Sequence, residues 1–278
     1  MKRVAALCLL VTGTVTLANA QGNSDRAQMR REARLESKAA AQAGAASAAD
    51  VGEPDSFGKN ALFLGIAGAG AIYLDSGDPS ASPPVAACSP ESLGFTLGAD
   101  ERCLAVDANS AVSQTGAYVD IGRITIPAKT VSNIVYMVNN HTLNWNFRNP
   151  SNSANASAQF SYTPIITIES QAFNDPQAVY DDGTGNLVQM NGSYTTSGNG
   201  TKIVNKTLFP LASELETDSY TRANTLGFSR TYWAAIGLPQ SVINNFYKKA
   251  ITIRLGANVR ARRVDFGNIL YSVRFFGN

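Results

Sequence analysis

Period-two alternation runs through the C-terminal half of the chain and restricts it to β-sheet. Ile251, Ile253, Leu255, Ala257, Val259 and Ala261 alternate with Thr252, Arg254, Asn258, Arg260 and Arg262. Ile269, Tyr271, Val273 and Phe275 alternate with Leu270, Ser272 and Arg274, and Leu143, Trp145 and Phe147 with Asn144, Asn146 and Arg148. A helix would scatter these apolar side chains around its axis, whereas a strand gathers them on one face. Residues 121–126, 132–138, 159–169 and 202–211 add further strands, separated by the turn-formers NPSNSAN, DDGTGN and SGNG.

Earlier in the chain, residues 61–74 (ALFLGIAGAGAIYL) carry no charge and include Gly65, Gly68 and Gly70. This run is too short to cross a bilayer as a helix. It reads as a buried strand or strand pair whose glycines permit a bend or a close backbone approach. One later segment looks helical: Pro239 in a first turn, followed by Val242, Ile243, Phe246 and Tyr247 on one face. The expected fold is mainly β, a jelly-roll-like antiparallel β-sandwich of about eight or more strands with one short helix near the C-terminus. A small outer-membrane β-barrel is the competing architecture, because alternating segments and Asn- and Gly-rich turns suit it too. Runs that are apolar on both faces, such as 134–138, favour the sandwich.

Lys2 and Arg3 precede an apolar run from Val4 to Leu17, and Ala18-Asn19-Ala20 supplies a small-x-small cleavage pattern. Residues 1–20 therefore read as a bacterial signal peptide cut before Gln21, which implies export to the periplasm, cell surface or exterior. Residues 21–56 are rich in Ala, Arg and Glu, with Arg26, Arg30, Arg34 and Lys38 at helical spacing and few large apolar residues. Such a segment is a solvated helix or flexible spacer, separable from the fold, with an electrostatic tether to an anionic membrane surface as the sharper option. A single sandwich domain then occupies 57–278. Once residues 1–20 are removed, Cys88 and Cys103 are the remaining cysteines. In an exported chain they read as one disulfide, contributing roughly 3 kcal/mol by loop entropy.

The side chains argue against most enzyme chemistry. His141 is the single histidine and falls in Asn-Asn-His-Thr, expected to be a surface turn between two strands. A serine nucleophile needs a positioned base, no G-x-S-x-G elbow is present, and one histidine builds no catalytic zinc triad. A carboxylate pair drawn from Asp107, Asp120, Glu169 and Asp175 is what an enzyme reading retains, as in a secreted carbohydrate-active hydrolase. No cofactor is expected. Calcium is the one ion for which the turns offer ligands, at 181–186 or 75–78, and neither turn fits an EF-hand loop.

Charge is distributed unevenly. Without residues 1–20 the chain holds 21 acidic and 21 basic side chains, yet residues 50–221 carry 17 acidic and 7 basic, and residues 222–278 carry 1 and 9. Arg254, Arg260 and Arg262 share one face of their strand over about 26 Å at 3.3 Å per residue, with Lys248 and Lys249 leading into it. These five residues are the candidate binding site. They suit an anionic envelope component, an acidic polysaccharide or another envelope protein, unless they pair internally with the acidic middle of the chain. Aromatic residues do not interleave with the arginines as nucleic-acid binding requires. The functional expectation is an exported non-enzymatic protein of the bacterial envelope, surface or secretome with a binding or structural role.

Overall fold

The computed structural model describes residues 28, 30–32, 34–35, 62–198, 200–223 and 227–278. Strand β12 (Ile251–Arg262) shows how alternation becomes a layer. Its odd-numbered residues are buried, and Thr252, Arg254, Asn258, Arg260 and Arg262 lie on the opposite, partly or fully exposed face. The other strands are β1 (Leu62–Asp75), β2 (Glu101–Ala105), β3 (Gln114–Ile126), β4 (Ile134–Arg148), β5 (Ala156–Ser170), β6 (Val179–Asp181), β7 (Leu187–Gln189), β8 (Ser193–Ser197), β9 (Lys202–Leu208), β10 (Ser213–Ala223), β11 (Phe228–Ser229) and β13 (Val264–Gly277).

Two sheets face each other. The first runs β10–β4–β13–β1–β2 with β11 also beside β4, and the second runs β3–β12–β5–β8 with β9 also on β5. All these pairings are antiparallel except β1 with β2. Within this frame β10–β4–β13–β1 and β3–β12–β5–β9 are two four-stranded sheets between which the chain passes back and forth, the strand order of an eight-strand jelly roll. The space between them is filled by large apolar side chains: Trp145 of β4 stacks on Phe160 of β5, ring centroids 4.3 Å apart. A barrel spanning lipid needs the reverse polarity, with its apolar band outside.

One end of the sandwich is closed by α2 (Arg230–Ala235), α3 (Gln240–Phe246) and the 3-10 turn Gln171–Asn174. Trp233, fully buried, packs there among Phe173, Phe228 and Phe246. Pro239 and the one-sided spacing of Val242, Ile243, Phe246 and Tyr247 point to α3, whereas α2 escapes sequence reading because its six residues bury little beyond Trp233. It is fixed by a cap, the Ser229 hydroxyl accepting from Tyr232 N at 3.0 Å.

Strand β4 corrects the expected turn at His141. Residues 134–148 form one continuous strand, because β13 and β10 pair with it on both sides straight through Asn139 and Asn140. Two ladders outweigh the local turn preference of Asn-Asn, and His141 is consequently buried.

Beyond the first sheet, the chain between β1 and β2 folds over Tyr73 and Leu270 and includes α1 (Pro90–Leu93). Cys88 and Cys103 are disulfide-bonded, with Cα atoms 5.8 Å apart, so this connection is stapled to β2. The described helical residues 28, 30–32 and 34–35 lie against the same region through Arg30 and Arg34. Arg30 is 2% exposed, bonds the Ser92 carbonyl at 2.7 Å and pairs with the buried Asp75. Arg34 pairs with Glu101 at 2.8 Å and lies over the Phe95 ring. The charge pattern that reads in sequence as a solvated face is, at these two arginines, a docked one. Burial here is bought by carboxylates rather than by apolar surface.

Candidate binding surface

The five basic residues singled out in the sequence do not form one site. Lys248 and Lys249 are exposed at the turn before β12, beside the helical end of the sandwich. Arg260 and Arg262 stand at the other end of the same strand. Arg254, between them, is half-buried and pairs with Glu169 of β5. The register explains this: Arg254 lies opposite Arg123 of β3 and Thr167 of β5, so two arginines adjoin, and Glu169 and Asp120 offset them. Asp120 sits in a bulge of β3 with φ 61°. Arg262 donates to the Ser157 hydroxyl at 2.8 Å, while Arg260 is exposed and has no acidic partner among the described residues. Internal pairing therefore claims Arg254 and leaves Arg260 and Arg262 available.

The outer face of the second sheet carries hydroxyls along its length, with Arg260 between Thr115 of β3 and Ser161 of β5. Thr125 bonds Thr252 at 3.1 Å, and Thr167 bonds Thr195 at 3.0 Å, across neighbouring strands.

Of the candidate acids, Glu169 is paired with Arg254 and Asp120 with Arg123. A shallow cleft of about 530 Å³ near the helical end is lined by Glu169, Ser170, Gln171, Asn174, Lys249 and Thr252, among others. Glu169 is the carboxylate in that lining, and Arg254 holds it. Asp175 accepts from Gln177 N at 2.9 Å, and Asp107 from Asn109 N at 2.8 Å, each closing its own turn. Among the described residues no three His, Cys, Asp or Glu side chains converge as metal ligands. In the 181–186 turn Asp181 accepts from the amides of Gly183 and Gly185, and Asp182 from Thr184 and Asn186. These bonds hold the Asp182 carboxyl below its usual pKa. At 75–78, Asp75 is committed to Arg30 and to Cys88 N.

His141 faces the space between the sheets, its ring 5.3 Å from that of Tyr162, beside a small cavity also lined by Asn139 and Tyr271. Burial lowers its pKa to about 4, so it is neutral at physiological pH.

The far end of the sandwich was invisible to alternation. Jelly-roll connectivity brings the β1–β3, β4–β5, β9–β10 and β12–β13 connections to one end, together with Arg148, Arg263, Phe209 and Leu211. Arg263 reaches the carbonyls of Ala108 and Asn109 at 3.0 and 2.7 Å, which ties the β12–β13 hairpin to the β2–β3 connection. A signal for that end does lie in the sequence, unread by alternation: Phe209 and Leu211, two large apolar residues flanking Pro210. The chain matches no family model, and no curated protein matches it.

Proposed function

We propose that this chain is an exported, non-enzymatic jelly-roll protein of the bacterial envelope, surface or secretome that docks an anionic partner through the basic end of β12. The observation that carries this reading is the division of the stripe: Glu169 neutralises Arg254, while Arg260 and Arg262 project beside hydroxyl-bearing strands and have no acidic partner among the described residues. Arginine forks on a polar surface recognise sulfate, phosphate or carboxylate groups by paired hydrogen bonds. Jelly rolls elsewhere serve as lectin and capsid domains, an analogy of fold that agrees with a binding or structural role.

Retention on immobilised dextran sulfate tests the reading. The wild-type chain is expected to bind at low salt and elute as salt rises, since exposed charges are screened beyond about 8 Å at physiological ionic strength. R260E/R262E is expected to lose at least tenfold in affinity with an unchanged melting temperature. R254E serves as the structural control, because it sets two carboxylates against each other and should lower stability. Retention of R260E/R262E equal to wild type would sink the docking face.

A further inference from the structure

The end of the sandwich where the four connections meet has two chemistries side by side. Phe209 and Leu211, in the β9–β10 turn, are 70% and 68% exposed. They are held outward by a built scaffold. Asn149, 1% exposed, donates its side-chain amide to the carbonyls of Phe209 at 2.9 Å, Ala154 at 2.8 Å and Leu208 at 3.3 Å. Leu211 N donates to the Ser151 carbonyl at 2.8 Å, and Leu211 itself sits at φ 57°, a conformation uncommon for a non-glycine residue. Two large apolar side chains kept in water by a buried asparagine and a left-handed backbone are a presented feature, not a packing remnant.

Basic residues surround this tip. Thr207, two residues before Phe209, lies opposite Ser157, which takes the bond from Arg262, so the Arg262 guanidinium reaches to within about one strand spacing, roughly 5 Å, of β9 just ahead of the turn. Arg260 lies two residues up the same strand, Arg263 forms the adjoining hairpin, and the half-exposed Arg148 ends β4. The neighbouring acids are engaged. Glu214 is bridged to Lys206, Asp107 closes its own turn, and the buried Asp265 takes the Ser76 hydroxyl and lies 3.9 Å from Arg148. The tip thus sets exposed apolar side chains beside Arg148, Arg262 and Arg263.

We infer that this end of the molecule docks on an anionic lipid surface, with Phe209 and Leu211 entering the headgroup layer and Arg148, Arg262 and Arg263 meeting lipid phosphates. A bilayer interface accepts both parts at once, since it is apolar below and carries negative charge above. A soluble polyanion offers only the second. The inference rests on the proposed docking role of Arg260 and Arg262 and narrows its partner to lipid.

Co-sedimentation of the full chain with vesicles separates the two readings. Binding is expected to vesicles of equal phosphatidylglycerol and phosphatidylcholine, to weaken with salt, and to fall at least tenfold on pure phosphatidylcholine. F209S/L211S is expected to lose about tenfold on the mixed vesicles while its retention on dextran sulfate and its melting temperature stay at wild-type values. F209W adds a direct readout, a blue shift in fluorescence with the mixed vesicles. Unchanged vesicle binding by F209S/L211S, or no blue shift, overturns lipid docking and leaves the basic face intact. If R260E/R262E binds both vesicles and dextran sulfate like wild type, both readings fall. A chain that binds dextran sulfate but neither vesicle has a soluble partner, and the lipid inference is wrong.

Discussion

Gly122 sits where β3 of the second sheet passes β1 of the first. A Cβ there would stand 2.3 Å from the Ala67 carbonyl oxygen and 2.8 Å from Gly68 Cα, both backbone atoms with no rotamer to change. Gly122→Ala is therefore expected to destabilise by about 1–3 kcal/mol, the usual cost of overpacking. Urea denaturation measures it, and an unchanged midpoint would mean that the two backbones are farther apart. His141 governs pH dependence at the same scale. Burial lowers its folded pKa to about 4 from an ordinary 6.5, so the unfolded chain takes a proton that the folded one refuses. Stability from this group is complete above the unfolded value and declines as pH falls from 6.5 to about 4, by roughly 3 kcal/mol in all. His141→Gln should flatten that part of the stability–pH curve, and an identical slope in the variant would assign the acid sensitivity elsewhere.

Among elements, the docked N-terminal residues depart furthest from their composition. With hardly any apolar surface, they attach through Arg30 to Asp75 and Arg34 to Glu101. Removing one partner of a buried pair strands the other charge, so Arg30→Ala is expected to cost about 3 kcal/mol. Because that pair is shielded from solvent, the loss should persist at high salt, unlike losses at exposed charges. A melting temperature indifferent to Arg30→Ala would return the segment to the role of a spacer. Strands β9 and β10 show a different use of charge. Lys202 and Lys206 of β9 reach Asp218, Glu214 and Glu216 of β10, so polar side chains occupy the side of the sandwich where the two sheets' edge strands lie together. Inward-pointing charge of this kind discourages strand pairing between molecules.

Over the whole molecule, the charge separation along the sequence is partly cancelled in space. The basic strand β12 lies between β3 and β5, and β13 between β4 and β1, which gives Arg254 its Glu169 and brings Arg148 near Asp265. What survives is divided between the two ends, Lys248 and Lys249 beside the helices and Arg260, Arg262 and Arg263 opposite them. Sequence by itself determined the sheet class, the buried and exposed faces of β12 and the Cys88–Cys103 bond, because alternation and pairing of two cysteines are local or nearly forced. It also located the glycines of β1, whose close approach the fold realises at Gly68. Tertiary structure alone decided that His141 lies inside a continuous strand, that Arg254 is spoken for while Arg260 is not, and that Phe209 and Leu211 stand among arginines. Those outcomes depend on which strand lies beside which, and strand adjacency follows from burying two whole sheet faces against each other, a condition that no single segment carries.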